Sequence, residues 1–234
     1  MEVFYAPGID SSHYILDENE SKHSVRVLRM KKGTQVKLID GKGNLYEGMI
    51  DDPDPRRCGI KIVSVVNNFE RREYRLHIAV SPLKNPERFE WFVEKSVEIG
   101  IDEITPLICT NTEKPGIKPE RISRIIISAM KQSLKARLTI LNDTCRFEDF
   151  IGRNFEGIRM IACCDENHER KSIGETCRKG SSAVILIGPE GDFSGDEINN
   201  AEGRGFQPVH LGISRLRTET AGIAACHSIY FINQ

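Results

Sequence analysis

The run Ala183-Val-Ile-Leu-Ile187, closed by Gly188-Pro189, constrains the fold more than any other feature of this chain. Five consecutive apolar residues leave no polar position for a solvated face, so the run reads as a strand covered on both sides. Such strands belong to parallel sheets layered with helices. The sequence around it agrees, because strand-like and helical runs alternate from residue 74 onward. They are Tyr74–Ser81, a helix Pro86–Ile99, Ile104–Cys109, a helix Pro119–Leu138, Met160–Cys164, a helix Lys171–Lys179, Ala183–Ile187, a helix after Ser194, Pro208–Leu211, and a last helix Glu219–Ile232. This predicts an α/β domain over residues 73–234. Asn85-Pro86, Gly100 and the capping box Ser194-Gly-Asp-Glu197 mark helix ends. In open α/β sheets, chemistry sits on the loops beyond the carboxyl ends of the strands.

Residues 1–70 follow another rule. Turn signals at Pro7-Gly8, Gly33, Asp40-Gly41, Gly43-Asn44 and Asp51–Pro55 separate the short runs Thr34–Ile39, Leu45–Ile50 and Gly59–Val66. Alternation at a period of two predicts a small antiparallel barrel or curled sheet, interrupted by one helix over about Asp17 to Met30. The polar stretch Asn67–Arg72 reads as the linker.

No apolar run is long enough to cross a bilayer, and the first twenty residues carry neither a basic region nor an apolar one, so the expectation is a cytoplasmic protein without a membrane partner. Seven scattered cysteines, with no CxxC pair, read as reduced and mostly buried thiols rather than zinc ligands. No metal site is expected. The net charge of -1 at first argues against a nucleic-acid partner, although a total hides its distribution.

The sequence lacks GxGxxG after a strand, GxxxxGK[ST], GxSxG and HExxH, which removes support from the common nucleotide, P-loop, hydrolase-elbow and metalloprotease chemistries. Two other loops stand out. Gly188-Pro-Glu-Gly-Asp-Phe-Ser194 follows the buried strand, and its glycines would let a ligand approach the backbone. It also reads as an ordinary strand-to-helix turn. Leu211–Gly222 again follows a strand and opens the last helix, whose small and apolar residues require burial in the fold or against a second subunit. Arg215, Arg217, Thr218, Glu219 and Thr220 sit at its mouth. Thr218 as an N-cap and Glu219 as a dipole partner would account for part of that string, but not for two arginines.

These residues carry a resemblance. GPEGDFSGDE (188–197) and LGISRLRTETAG (211–222) are similar to the paired signature loops of the RsmE family of small-subunit rRNA methyltransferases, in the SPOUT superfamily. Glu94–Gly100, Gln132-Ser133 and His23–Arg29 resemble three further family segments, in the family's order. Asp192 departs from the pattern, standing where the family commonly has glycine.

The resemblance implies a PUA-like β-barrel over 1–70, a SPOUT methyltransferase domain with a trefoil knot over 73–234, and a homodimer with the site at its interface. It implies transfer of a methyl group from S-adenosylmethionine to N3 of a uridine in 16S rRNA, within the small ribosomal subunit. The cofactor would be held by Ile187, Gly188, Pro189, Glu190, Gly191, Leu211, Gly212, Ser214, Leu216, Arg217 and Thr220, with 163–166 as a further wall. Methyl transfer from a sulfonium chiefly demands alignment of the acceptor. Removal of the uracil N3 proton leaves charge on the flanking carbonyl oxygens, which Arg217 would disperse, with Glu219 as orienting partner or proton acceptor. His23 and His227 are rival bases, His227 fitting better as a core or interface residue.

Charge distribution then favours RNA. Ser21–Ile39 holds six basic residues, Lys22, Arg26, Arg29, Lys31, Lys32 and Lys37, and no acidic one. On the 119–138 helix, Arg121, Arg124, Lys131 and Lys135 fall within an arc of roughly 80°. His23, Arg26, Arg29 and these four are the expected RNA contacts. A solvated charged face is the alternative for either cluster alone. Two other functions stay open, ribose 2′-O-methylation and a non-enzymatic rRNA assembly factor.

Overall fold

The computed structural model describes residues 2–9 and 12–234; Met1, Asp10 and Ser11, which fall in the first predicted domain, lie outside the described residues. The elements in chain order are β1 (Val3–Tyr5), β2 (His13–Ile15), α1 (Glu18–Lys22), a π-helical turn His23–Val27, β3 (Gln35–Ile39), β4 (Leu45–Asp52), β5 (Gly59–Val66), β6 (Leu76–Val80), α2 (Pro86–Ile99), β7 (Glu103–Ile108), α3 (Pro119–Gln132), β8 (Ile140–Leu141), β9 (Cys145–Arg146), α4 (Phe147–Ile151), β10 (Ile158–Ala162), β11 (Lys171–Ser172), α5 (Ile173–Thr176), β12 (Ala183–Ile187), α6 (Gly195–Gly203), β13 (Gln207–His210) and α7 (Thr218–Ile232). They sort into two units: residues up to Arg71 with Met130–Leu138, and Arg72–Ala129 with Thr139–Gln234.

The first unit is a five-stranded sheet in the order β1-β3-β4-β5-β2. Phe4, Val36, Leu38, Ile50 and Ile60 alternate inward and, with Cys58 and Leu16, make its core. The sheet is not wholly antiparallel as expected, since β1 pairs with β3 in parallel. Residues 136–138 join this unit through backbone bonds, Gly43 N–H to Ala136 O at 2.9 Å and Leu138 N–H to Gly41 O at 2.9 Å.

The second unit is an eight-stranded sheet running β11-β13-β10-β12-β6-β7-β8, with β9 also on β7. Every pairing is parallel. Ala183–Ile187 lies between β10 and β6 with all five residues buried, so its unbroken apolar run is the signature of a central strand. α7 packs on α2 through its small residues. A Cβ on Gly222 would stand 2.5 Å from the Phe92 ring, and the Cys226 thiol reaches the Ser96 carbonyl. Glycine is therefore what lets the two helices approach so closely.

Several expected boundaries move. The helix expected over 119–138 stops at Gln132, because Leu134 turns left-handed at φ 54°. Lys135 N–H then bonds Met130 O at 2.9 Å and Leu134 N–H bonds Lys131 O at 3.4 Å, the pairing of a Schellman stop made without glycine. Ser133 and Lys135 therefore lie outside the helix, and the arc of four cations loses a member. Lys171–Lys179 is not one helix but β11 followed by four helical residues capped by Ser172 and Glu175. Asp17–Met30 divides into α1 and the π-helical turn. His227 is exposed on α7 beside the Tyr230 and Phe231 rings rather than in the core.

Candidate active site

β10, β12 and β13 are neighbours in the sheet, and Ala162, Ile187 and Val209, at or next to their carboxyl ends, form the apolar floor of a cavity of about 390 Å³. That volume suits a small organic ligand. The loops leaving the strands supply its walls.

The first wall, after β12, is pinned on every side. Gly188 leaves little room for a side chain, because a Cβ there would lie 3.1 Å from the Phe193 ring and 3.2 Å from its backbone nitrogen. The Glu190 carboxylate accepts the Lys84 N–H at 3.1 Å. Asn111 donates to the Gly191 and Asp192 carbonyls at 3.2 and 3.0 Å. Asp192 sits at φ 62°, in the left-handed region that favours glycine. Its carboxylate accepts the Phe193 N–H at 2.8 Å and, across the cavity, the Cys164 N–H at 2.8 Å. The residue that departs from the pattern thus ties the first wall to the loop after β10. Arg170 of that loop, which also lines the cavity, donates to the Cys163 carbonyl at 3.1 Å.

The second wall, Leu211–Arg217, is held more loosely. Gly212 bends at φ 108° and donates to His210 Nδ1 at 3.2 Å, while Ser214, Arg215 and Arg217 are exposed. Arg217 is the N-cap residue of α7 but makes no side-chain cap bond, and its guanidinium has no ion pair among the described residues. Thr218 is the first helical residue, so the N-cap reading of Thr218 does not hold.

Of the expected cofactor residues, Ile187, Gly188, Pro189, Glu190, Leu211, Gly212, Ser214, Leu216 and Arg217 line this cavity. Gly191 and Thr220 are not among its lining residues. Neither is Glu219. Its side chain is 8% exposed and turned toward α2, with one oxygen 3.7 Å from Arg88 Nε and the other without a hydrogen-bond partner among the described residues. That placement fits an orienting role at the start of α7 better than proton acceptance in the cavity. Arg170, Asp192 and His210 also line the cavity without having been expected as cofactor contacts, and so does Arg215, which the sequence placed only at the mouth of the last helix. Arg170 stands beside no recognisable pattern, whereas His210 immediately precedes the second signature loop and Asp192 and Arg215 lie inside the two loops. Cys163 also reaches the cavity. Burial, reinforced by the Asp192 carboxylate, pushes its thiol up to about 12, so it is no thiolate nucleophile at neutral pH.

The expected RNA residues separate into two groups. His23, Arg26 and Arg29 are exposed, and neither arginine is in an ion pair among the described residues. The second cluster is not a free cationic face. Lys131 pairs with Glu20, Lys135 with Glu70 and Arg121 with Glu90, while Arg124 donates to the Glu120 carbonyl. Arg121 and Arg124 border a shallow groove at the start of α3 with Lys118 and Ser128.

A parallel α/β unit with a cavity of small-molecule size at its strand ends, in one chain with a small β unit bearing an exposed basic turn, has the form of a ligand-binding catalytic domain joined to a module suited to a polyanion. Comparison with known proteins makes the class specific. The model of an RNA methyltransferase domain matches residues 70–230, and that of an RNA methyltransferase PUA domain matches residues 16–63. The chain belongs to the RNA methyltransferase family. It is 28% identical over 229 residues to ribosomal RNA small subunit methyltransferase E of Aquifex aeolicus, covering 96% of each protein. A solved probable rRNA-methyltransferase from Porphyromonas gingivalis is 40% identical with a TM-score of 0.92, covering 100% of this chain and 98% of that one. Ribosomal RNA small subunit methyltransferase E from Neisseria gonorrhoeae, bound to S-adenosyl methionine, is 25% identical with a TM-score of 0.85 over 100% of this chain and 98% of that one.

Proposed function

We propose that this chain transfers the methyl group of S-adenosylmethionine to N3 of a specific uridine in 16S rRNA, acting on the small ribosomal subunit in the cytoplasm as a homodimer. The observation that carries this reading is the convergence of the 188–192 and 211–217 loops on one cavity, with Arg217 at its mouth.

The residues fit such a cofactor by donor type. Ala162, Ile187, Val209 and Leu216 offer apolar surface to a ring, Arg170 and Arg215 suit a carboxylate, and Glu190 and Asp192 suit an ammonium or a ribose diol. When bound, the cofactor supplies a methyl group already activated on a sulfonium. The protein's remaining tasks are alignment and charge. The pinned first wall holds its backbone in place before the ligand arrives, which lowers the ordering cost of binding. Arg217, in no ion pair among the described residues, can donate to the uracil carbonyl oxygens as the N3 proton leaves. Glu219, through Arg88, orients the start of α7 from which Arg217 projects. Dimerisation would use the outer stripe of α7, where Ile223, His227 and Phe231 recur at helical spacing and Phe231 is 65% exposed. The path of 188–222 would close the trefoil knot.

Nucleoside mass spectrometry of rRNA from small subunits treated with the protein and S-adenosylmethionine tests the reading. The expected product is 3-methyluridine. A 2′-O-methylated nucleoside would replace it with the ribose reading, and cofactor binding without any methylated product would overturn catalysis.

A further inference from the structure

The turn between α1 and β3 holds two apolar side chains out in water. Val27 is 65% exposed and Leu28 39% exposed. Slack does not explain this, because the turn is anchored from below. Ser21 and Ser24 are fully buried beneath it. Ser21 Oγ donates to Leu16 O at 3.1 Å and accepts the Cys58 N–H at 2.9 Å, and Ser24 Oγ donates to Ser21 O at 3.0 Å. Leu28 N–H bonds His23 O and Met30 N–H bonds Ser24 O, each at 3.0 Å. Val25 and Met30, on either side of the exposed pair, pack against the core of the sheet. Arg29 is held at φ 54°, a left-handed conformation that a residue with a side chain adopts only when its surroundings impose it.

The rim of this apolar pair is cationic. Arg26, Arg29 and Lys31 are exposed and in no ion pair among the described residues, whereas Lys22 and Lys32 are neutralised by Glu18 and Asp51. We propose that Val27 and Leu28 are an apolar wedge that packs against unstacked bases of the RNA, while Arg26 and Arg29 hold the flanking phosphates. The proposal rests on the reading of this chain as an rRNA methyltransferase and adds a means of engaging the substrate. Its occupant follows from charge. A second copy of the same turn would set arginine against arginine, whereas a nucleic acid offers phosphates to the rim and base faces to the centre. Apolar wedges at base steps and splayed bases on protein surfaces are established modes of recognition.

The two parts of the turn differ in how they respond to salt, because phosphate contacts release counterions and apolar contacts do not. The test measures binding of full-length protein to 16S rRNA across a salt series. It compares the unmutated chain with Val27→Ser/Leu28→Ser, Arg26→Ala/Arg29→Ala and Val27→Ile/Leu28→Met, which keeps both side chains apolar. The serine pair is expected to weaken binding about tenfold at every salt concentration with an unchanged log–log slope. The alanine pair is expected to make the slope shallower by about two, and the Ile/Met pair to bind like the original. S-adenosylmethionine binding and the thermal midpoint should be unaltered in all three. A serine pair that binds within about twofold of the original overturns the wedge, as does a serine pair whose slope falls with its affinity. If the unmutated protein shows no affinity for 16S rRNA, the rRNA reading itself fails.

Discussion

The turn at 23–29 and the stretch at 121–135 are similarly rich in cations, yet they end in opposite electrostatic states. In the first, Arg26 and Arg29 stand in water without a carboxylate partner among the described residues. In the second, Glu20, Glu70 and Glu90 meet Lys131, Lys135 and Arg121. Those acids lie 31 to 111 residues away in sequence from the cations they neutralise. A free cation can act on a substrate; a paired one mostly holds structure. The cavity repeats the contrast, with a first wall fixed by hydrogen bonds and a second wall that carries the uncommitted Arg217.

The largest expected effect tests the free group in the cavity. Arg217→Ala should lower the methylation rate by about 100-fold or more, with S-adenosylmethionine affinity within a few-fold of the original by calorimetry. Retained methylation would remove Arg217 from the chemistry. Next comes the fixed wall: Asp192→Gly relaxes the backbone but deletes the bonds to Cys164 and Phe193. It should weaken cofactor binding about tenfold while the KM for rRNA holds. Cofactor affinity equal to the original would show that the tie across the cavity is dispensable.

Lys131→Met addresses the paired patch. Its ammonium lies 5.9 Å from the Phe4 ring centroid and its pair with Glu20 is largely shielded, so loss should cost about 1–3 kcal/mol in denaturant unfolding. The salt dependence of RNA binding should stay as it was. A slope that falls by about one would mean that Lys131 leaves Glu20 for a phosphate in the complex. The smallest effect belongs to Arg121→Ala: its guanidinium is exposed to solvent above a half-buried Glu90, and its loss should leave the denaturant midpoint close to that of the original. Glu90→Gln sharpens the point, since it frees Arg121 and should strengthen RNA binding slightly at low salt.

Local chemistry made much of the fold readable. Ala183–Ile187 announced a central strand because burial on both faces forbids polar residues, and Asn85, Gly100 and Ser194 marked helix ends by capping side chains or by tolerance of a left-handed turn. The two signature loops were legible from local chemistry as well, since the turn formers Gly188, Pro189, Gly191 and Gly212 stand at the ends of strand-like runs. The stop after Gln132 was not readable, since Leu134 adopts the left-handed state usually given to glycine. The four-residue α5 and the two-residue strands are too short to develop a period.

The sequence by itself determined the alternating α/β architecture, the loops that form the cavity and the residue types available there, because these depend on neighbours within a few positions. Only the tertiary structure decided which charges remain free, that Glu219 turns to Arg88 instead of the cavity, that Asp192 bridges two loops, and that Val27 and Leu28 face water. Each of those outcomes depends on a partner, or on the lack of one, supplied by another part of the chain. Hydrogen bonds and ion pairs act over a few ångströms in space, and separation along the sequence does not measure that distance.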